Sequence, residues 1–349
     1  MKRISSEHDV SGPKLSICIA TFNRGKFIAE TLDSILHQMQ PGVELIVVDG
    51  ASPDNTEEVM RQYLLNYPEI RYYRELVNSG VDADYDKAVE YATGEYCWLM
   101  TDDDVLMPGA IEAVLHSIHS SPELVVVNSE VKNFDFSKTY VERSLIITDN
   151  RNYEANDGES FFVDIASYLS FIGAVVIKRE VWLARDRESY YGSLFIHVGV
   201  IFQSPTLTKV NVISSPFITI RYGNAMWSAR TFEIWTFKWP NLIWSFVDFS
   251  DESKNKITKR EPRKSFSRLF RNRALGVFSK AEVKKFWPDN VNIIELAMAN
   301  LIAIFPRRLA NIFSICYLKL EKKSNKMALH DLLNSKHSNF ISKCIAKDS

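Results

Sequence analysis

Three adjacent carboxylates, Asp102, Asp103 and Asp104, follow an apolar run that ends at Met100. A buried strand that ends in acids places them at the carboxyl edge of a sheet, where open α/β sheets bind ligands. The three charges repel one another, so a positive group is expected beside them. Their oxygens suit Mg²⁺ or Mn²⁺, ions that commonly bridge one or two carboxylates to a substrate diphosphate. The alternative is a helix N-terminus decorated with acids, which has little functional meaning.

The elements that position these acids follow from the spacing of apolar residues. Strands alternate with helices over the first 130 residues, which predicts βαβ units and a mainly parallel sheet. Apolar runs predict strands at 15–20, 44–49, 70–74, 96–100 and 124–127. Helical spacing predicts helices at 27–39, 54–64, 86–91 and 107–118. Neither a G-x-G-x-x-G loop nor a Walker-type loop occurs, so the acids at strand ends, Asp49 and the triplet, remain as the candidates for chemistry.

The composition is that of an ordinary soluble globular protein, with 46% hydrophobic residues, 24% charged residues and a net charge of −1. This charge argues against a general nucleic-acid binder. The 349 residues suffice for one large domain or two. The four cysteines have no metal-ligand spacing, as expected for reduced thiols of a cytosolic protein. We expect neither a signal peptide nor a transmembrane helix, since no sufficiently long apolar run occurs.

From about residue 231 the pattern changes to aromatic-rich and then basic helical segments. Aromatic residues crowd 232–249, and the lysines and arginines of 254–285 are accompanied by only two acids, Glu261 and Glu282. This mixture suits anionic lipid headgroups, where each near-surface cation contributes about 1 kcal/mol. RNA binding and a solvated helical face are the alternatives. Two further helices are expected, at 291–305 and 309–320.

A series of short motifs resembles the family 2 glycosyltransferases of the GT-A fold in order, spacing and content. The motifs are 19–24 (IATFNR), 47–56 (VVDGASPDNT), 78–80 (NSG), 92–96 (ATGEY), 101–104 (TDDD) and 108–110 (PGA). The resemblance covers about residues 14–120. Two further segments, 82–89 (DADYDKAV) and 196–200 (IHVGV), resemble the abequosyltransferase subgroup, which adds a dideoxyhexose during O-antigen assembly.

This resemblance implies a Rossmann-like GT-A α/β domain, with a mainly parallel sheet flanked by helices, over residues 14–230. A polar segment at 1–13 would precede it. Residues 14–130 would form the nucleotide-binding half, and 131–230 the acceptor half. The helical, basic and aromatic-rich region 231–349 would contact the acceptor or a membrane surface.

The family holds the nucleoside with residues that follow the first strand and with the acid that ends the second. Thr21 and Asn23 would therefore line the base or ribose, and Arg24 would reach the diphosphate. Asp49 would accept hydrogen bonds from the base, and Asp102 would face the ribose, because a fixed carboxylate is a strong acceptor for N–H and O–H groups.

The carboxylate motif of the family implies that Asp103 binds Mn²⁺ or Mg²⁺ and so takes part in catalysis, with Asp104 as a second candidate ligand. Thr101 stands where many members have the first acid of an Asp-x-Asp-Asp pattern, which leaves open which acid contacts the ion. A divalent ion would stabilise the charge that develops on the leaving nucleoside diphosphate.

An inverting transfer also needs a base that deprotonates the acceptor hydroxyl. The segment 190–199 occupies the place of the family's usual acid but contains none, so His197 is the candidate base or acceptor ligand. The alternative is a histidine packed in an apolar stretch with its nitrogens satisfied. Asp186 and Glu188 are the next candidates for the base.

Other residues also carry candidate functions. Asp82, Asp84 and Asp86 alternate but lack the downstream glutamate of an EF-hand, so we interpret them as donor-sugar contacts or solvated acids. Asp84 is the one to test. Arg221 and Trp227 follow a predicted strand and would close over the diphosphate and the sugars; an ordinary loop with a core tryptophan is the alternative.

These features predict a metal-dependent, inverting glycosyltransferase of O-antigen or surface-polysaccharide biosynthesis. It would move a sugar from a nucleotide-sugar donor to a polyprenyl-diphosphate-linked or oligosaccharide acceptor. It would be cytoplasmic and peripheral on the inner face of the cytoplasmic membrane, on anionic lipids, without nucleic acid. The alternatives are a sugar-nucleotide nucleotidyltransferase, for which the loop 21–25 is too short and too poor in glycine, and a non-catalytic membrane adaptor.

Overall fold

The computed structural model describes residues 12–224, 230–287, 291–320 and 326–347. The chain forms two compact units. The first runs to Arg221 and also includes Val247–Phe249, whereas the second comprises Tyr222–Phe246 and the chain from Ser250 onward.

A ten-stranded sheet forms the centre of the first unit. Its strands are β1 (Leu15–Thr21), β2 (Val43–Asp49), β3 (Arg71–Arg74), β4 (Tyr96–Met100), β5 (Val105–Leu106), β6 (Leu124–Lys132), β7 (Thr139–Val141), β8 (Arg151–Glu154), β9 (Val175–Lys178) and β10 (Lys209–Arg221). Their order is β3-β2-β1-β4-β9-β6-β10-β5, with β7 beside β6 and β8 beside β10.

The sheet is mixed rather than mainly parallel. β3, β2, β1 and β4 pair in parallel, as the alternation of strands and helices predicts. β9 then runs antiparallel to both β4 and β6, while β10 is parallel to β6. The parallel part therefore brings the carboxyl ends of β1, β2 and β4 to one edge.

Helices cover the sheet because each turns an apolar stripe toward it. They are α1 (Ile28–Leu36), α2 (Thr56–Asn66), α3 (Val81–Tyr91), α4 (Ala110–Ile118), α5 (Gly158–Ile165), α6 (Arg179–Ala184) and α7 (Ile196–Phe202), with 3₁₀ turns at Ala155–Asp157, Tyr168–Ser170, Ile172–Ala174 and Glu188–Tyr190. In α1 the stripe is Ile28, Leu32 and Ile35, spaced four and three residues apart and fully buried. It packs in one core with Ile17 and Val47 of the sheet.

α3 begins at Val81, five residues before the predicted start, so Asp82 lies in its first turn rather than in a loop. Its carboxylate is 4% exposed and accepts hydrogen bonds from the backbone N–H groups of Leu194 (2.9 Å) and Ile196 (3.1 Å). Asp82 thus fixes the start of α7, which corrects its interpretation as a sugar contact or solvated acid.

Asp86, one turn further along α3, is 2% exposed and also connects distant segments. It accepts hydrogen bonds from Trp182 Nε1 at 2.8 Å and from the Tyr191 hydroxyl at 2.5 Å. Arg187 Nε forms an ion pair with the same carboxylate at 2.7 Å. Asp86 is therefore a structural acid as well, and it holds the segment between α6 and α7 against α3.

Asp86→Ala tests this connection. We expect the free energy of unfolding to fall by about 2–3 kcal/mol, because the substitution leaves the buried indole N–H and a guanidinium without their acceptor. Glu90→Ala is the matched control on the same helix, since Glu90 pairs with the same Arg187 but is half-exposed; it should cost less than about 1 kcal/mol. Equal losses in urea denaturation would contradict the assignment.

The second unit is helical in the described residues. Its helices are α8 (Thr231–Glu233), α9 (Trp239–Ser245), α10 (Asp251–Ile257), α11 (Phe266–Leu275), α12 (Lys280–Phe286), α13 (Ile293–Ile304), α14 (Arg307–Leu320), α15 (Lys326–Asn334) and α16 (Phe340–Lys347). A π-helix spans Ile234–Lys238, and a 3₁₀ turn spans Pro262–Lys264. α13 and α14 correspond to the two helices expected there.

Aromatic residues form much of the interior of the second unit, whereas most lysines and arginines between residues 254 and 285 are exposed. Phe232 packs against Phe278 and Trp287, with ring centroids 5.0 and 6.3 Å apart, and all three are buried. Arg273 is also buried and donates to the carbonyls of Phe278 (3.0 Å) and Phe305 (2.8 Å). The aromatic part of the pattern that suits lipid headgroups is therefore largely used for packing, whereas Arg273 is an exception among the basic residues.

No single helix among the described residues is both long and apolar enough to cross a membrane. α13 and α14 meet that length and composition test only as a pair, and the pair is bent by 100°.

Candidate active site

The ends of three neighbouring strands bring the predicted nucleotide-binding residues together. In the parallel ladder Thr21 of β1 lies beside Asp49 of β2, and Ile19 of β1 lies beside Met100 of β4. The turn that contains the three carboxylates follows Met100 directly, so it lies at the same edge. This agrees with the position expected from the apolar runs.

Arg24 supplies the positive charge expected beside the carboxylates. Its Nε lies 3.4 Å from Asp102 Oδ1, and a terminal guanidinium nitrogen lies 3.2 Å from Asp103 Oδ2. All three side chains are about nine-tenths buried, which strengthens their attraction relative to a surface pair. Arg24 therefore contacts the carboxylates in this structure, whereas we expected it to reach a diphosphate.

The single positive charge of Arg24 does not balance the three buried carboxylates of Asp102, Asp103 and Asp104. Burial raises the pKa of Asp102 to about 7, and the charge of Asp103 adds to this, while Arg24 and the Thr21 hydroxyl oppose it. Burial also raises the pKa of Asp104 well above its ordinary value, again with a contribution from Asp103. A site with this charge imbalance favours an added cation.

Asp104 is held by the surrounding chain. One carboxylate oxygen accepts from the Thr101 hydroxyl at 2.5 Å, and the other accepts from the Arg221 backbone N–H at 2.7 Å. The Asp104 carbonyl accepts from the Thr31 hydroxyl at 2.7 Å. Thr101, the residue that departs from the family pattern, thus orients Asp104. The other two carboxylates, those of Asp102 and Asp103, face Arg24.

Arg221 is 6% exposed and holds the backbone of the carboxylate turn. Its guanidinium donates to the carbonyls of Asp103 (3.0 Å) and Phe134 (2.6 Å) and forms an ion pair with Glu30. The Phe136 ring centroid lies 4.0 Å from its Cζ. These contacts join Arg221 to the backbone of the carboxylate turn, and its contact with the donor diphosphate stays a prediction. Glu30 was not identified in the sequence, because only its spacing on α1 could have indicated it.

Trp227, the other residue expected to close over the donor, lies outside the described residues.

Asp49 is fully buried at the end of β2 and is held by two donors. Its Oδ1 accepts from the Ser52 backbone N–H at 2.8 Å, and its Oδ2 accepts from the Tyr72 hydroxyl at 2.7 Å. Arg74 Nε lies 3.8 Å from the same Oδ2. Tyr72 and Arg74 were missed in the sequence, although both lie in the predicted strand 70–74.

The turns after β1 and β2 are joined by backbone donors. The Asn23 N–H donates to the Ser52 hydroxyl at 2.8 Å, and the Arg24 N–H donates to the Thr56 hydroxyl at 3.0 Å. Asn23 has a φ of +60°, a left-handed conformation that asparagine tolerates better than most residues. Its side chain is exposed at the edge, where a ligand can reach it.

Asp84 differs from its two neighbours on α3 because it lies beside the turn after β2. A β-carbon on residue 50 would lie only 2.5 Å from Asp84 Oδ2, so any larger residue than Gly50 would displace this carboxylate. The other oxygen accepts from the Ser79 hydroxyl at 3.0 Å. Burial raises the pKa of Asp84 to about 6, and the charges of Glu75 and Asp49 add to this. Its function in binding the donor stays a prediction.

His197 lies in α7, is 2% exposed, and has Nε2 at 2.7 Å from the Leu169 carbonyl oxygen. Because a carbonyl only accepts, Nε2 carries the proton. Burial lowers the pKa of His197 to about 4, and Nδ1 has no hydrogen-bond partner among the described residues. This environment favours packing over proton transfer, although the base assignment stays a prediction. Asp186 and Glu188 are exposed on the segment before α7.

The raised pKa values of Asp102 and Asp84, about 7 and about 6, predict how stability depends on pH. The folded protein binds these protons more tightly than the unfolded chain, whose aspartates titrate at about 4. The proton-linked stabilisation is therefore complete below about pH 4 and is lost as the pH rises toward 7. We expect the free energy of unfolding in urea to fall by about 1–3 kcal/mol between pH 5 and pH 8.

Asp102→Asn should remove part of this fall, because asparagine has no proton to lose. Asp149→Asn is the control, since Asp149 is exposed and should leave the pH dependence unchanged. An Asp102→Asn protein with the full wild-type pH dependence would contradict the assignment of the high pKa to this carboxyl.

Comparison with known sequences agrees with this geometry. The model of glycosyl transferase family 2 matches residues 16–172. The abequosyltransferase RfbV of Salmonella typhimurium is 30% identical over 224 residues, which are 60% of this chain and 67% of that protein. The GalNAc(5)-diNAcBac-PP-undecaprenol beta-1,3-glucosyltransferase of Campylobacter jejuni is 27% identical over 135 residues, which are 38% of this chain and 44% of that protein.

Among solved structures, S. aureus TarS 1–349 in complex with UDP-GlcNAc is similar with a TM-score of 0.55. The match covers 94% of this chain and 93% of that chain, at 14% sequence identity. At such a low sequence identity, structural similarity is evidence for the fold alone. It confirms the expected GT-A fold. Together with the identity to the Salmonella protein, the match to the family model confirms the resemblance of the motifs: the chain belongs to glycosyl transferase family 2.

Proposed function

We propose that the protein transfers a sugar, such as a dideoxyhexose, from a nucleotide-sugar donor to a lipid-linked or oligosaccharide acceptor in O-antigen or surface-polysaccharide biosynthesis. The observation that carries the proposal is the convergence of Asp49, Asp102 and Asp103 at one sheet edge, where Arg24 pairs with Asp102 and Asp103. Membership of the family favours glycosyl transfer over the nucleotidyltransferase and adaptor alternatives. The Salmonella and Campylobacter relatives, by their names, support a donor and an acceptor of these classes.

The donor would lie along the edge from β2 to β4. Asp49 keeps lone pairs beyond its two intramolecular donors and would accept from a base N–H, while Thr21 and Asn23 line the base or ribose. Asp102 would accept from a ribose hydroxyl. Both carboxylates are fixed and buried, so such hydrogen bonds form in a low-dielectric environment and are strong.

The two carboxylates that face Arg24 fit a divalent cation. No group of three or more His, Cys, Asp or Glu side chains in the described parts of the chain is arranged to hold a metal. Asp103, with Asp102 or Asp104 beside it, would therefore supply one or two ligands to Mn²⁺ or Mg²⁺, and the donor diphosphate would supply others. Such an ion neutralises charge that develops on the leaving diphosphate. Arg24 would then be available to bind the diphosphate.

The acceptor hydroxyl must lose a proton in an inverting transfer. His197 is the candidate base in the segment where the family usually has an acid. Because His197 is buried, the exposed residues Asp186 and Glu188 are competing candidates for the base. The enzyme would act at the inner face of the cytoplasmic membrane, where a polyprenyl-diphosphate-linked acceptor and anionic lipids are found, and it would bind no nucleic acid.

Asp103→Asn tests the cation site. With Mn²⁺ and the matching nucleoside diphosphate, screened among UDP, GDP, CDP and dTDP, we expect the wild-type Tm to rise by about 3 °C or more. Asp103→Asn should lose the cation-dependent part of this shift and the turnover of the sugar nucleotide, because an amide binds divalent ions more weakly than a carboxylate. Asp149→Asn, an exposed control, should keep both; full turnover by Asp103→Asn would refute the proposal.

His197→Ala separates the two interpretations of His197. Loss of a general base lowers kcat by about 10²–10⁴-fold, whereas loss of a packed side chain lowers stability with a smaller change in kcat. From its burial we expect less than about a tenfold fall in kcat and a loss of about 1–3 kcal/mol in unfolding. His197→Gln, which keeps an N–H donor, should recover part of the stability. A fall in kcat above about a hundredfold in a stable His197→Ala protein would instead establish the base.

A further inference from the structure

α13 turns its largest apolar side chains outward. Ile293, Ile294, Leu301 and Ile304 are 79%, 75%, 67% and 55% exposed, and Ala297 between them is exposed as well. At 100° per residue these five positions fall within an arc of about 100°, so they form one stripe along the helix. Helices at the surface of a protein usually place polar residues on such a face.

α14 repeats this arrangement on the other side of the bend. Leu309, Phe313, Tyr317 and Leu320 are 46%, 54%, 62% and 84% exposed, at spacings of four, four and three residues. They also fall within an arc of about 80°. We call the exposed apolar residues of both helices the outer stripe.

The inner faces of the two helices are already used for packing. Ala299, Ile302 and Ala303 of α13 belong to the core of the second unit, and Ala310 and Ile315 of α14 belong to a second core cluster. Each helix therefore has one face against protein and one apolar face uncovered. This geometry suits a helix that lies in a membrane interface and does not suit one that is surrounded by lipid.

The charges around the outer stripe are cationic. Glu295 is the only acid between residues 291 and 320, and it is 9% exposed and forms an ion pair with Arg263 at 3.1 Å. Arg308 is exposed at the bend, and Arg307 and Lys319 are partly exposed. Within the described residues of α13 and α14, the apolar stripe is accompanied by accessible cations and by no accessible acid, which is complementary to an anionic lipid surface.

We propose that the outer stripe of α13 and α14 is the surface by which this protein lies on an anionic bilayer, with the arginines of the bend at the lipid phosphates. The choice of a membrane rests in part on the proposed lipid-linked acceptor. This surface is distinct from the basic span 254–285, whose lysines and arginines lie on other segments of the second unit.

Vesicle sedimentation of the full-length protein tests this surface. We expect binding to vesicles of phosphatidylglycerol and phosphatidylcholine and much weaker binding to phosphatidylcholine alone. The double variant Leu309→Glu, Phe313→Glu should bind about 100-fold more weakly, about tenfold for each buried side chain. Arg307→Gln and Arg308→Gln should each weaken binding to the anionic vesicles about fivefold.

Leu65→Glu on α2 is the matched control, because Leu65 is 85% exposed in the other unit and should not affect vesicle binding. Unchanged binding by the double variant would overturn the proposal. The proposal would also be overturned if light scattering showed that the wild-type protein is a dimer and the double variant is a monomer, because a second copy would then cover the stripe.

Nucleotide-dependent shifts in Tm, measured without vesicles, should be the same in all these proteins. Their absence from every variant would refute the proposed function while leaving the vesicle result intact.

Discussion

The sheet edge depends on the balance of charge between Arg24 and the carboxylates of Asp102 and Asp103. Parallel pairing fixes the ends of β1, β2 and β4 beside one another, so repulsion among the acids cannot be relieved by moving the strands apart. One guanidinium offsets part of this repulsion, and burial together with the charge of Asp103 raises the pKa of Asp102 to about 7. The proposed cation and anionic donor would together satisfy the same edge more completely.

The oxygens that would bind such a ligand are held in place before it arrives. Thr101 and the Arg221 N–H fix Asp104, while the Arg221 guanidinium holds the Asp103 carbonyl. A site whose polar groups are already oriented loses less entropy on binding and reorganises less during reaction. Arg221 contacts the backbone of the turn, so a substitution there would disturb the geometry of Asp103.

The features of the site that could be predicted from the sequence are those that depend on the local pattern of apolar and acidic residues. Apolar runs that stop at Asp49 and Asp102 locate the edge, because the ends of parallel strands coincide. The parts it missed depend on partners far along the chain: the donors to Asp86 lie 96 and 105 residues away, and the carbonyl that binds His197 lies 28 residues away. The packing of the aromatic segment after residue 231 was not anticipated for the same reason, since Phe232 is covered by helices that follow it.

The close approach of Gly50 and Asp84 couples two positions that lie in different motifs. The space that a side chain at residue 50 would need is occupied by an oxygen of residue 84. A larger residue at 50 therefore requires the side chain of residue 84 to move or to be shorter, so the two positions should covary among relatives. An alignment deep enough to detect this pairing would show which members of the family keep an acid at position 84 beside the second strand. It would also show which members have a larger side chain at position 50 in its place.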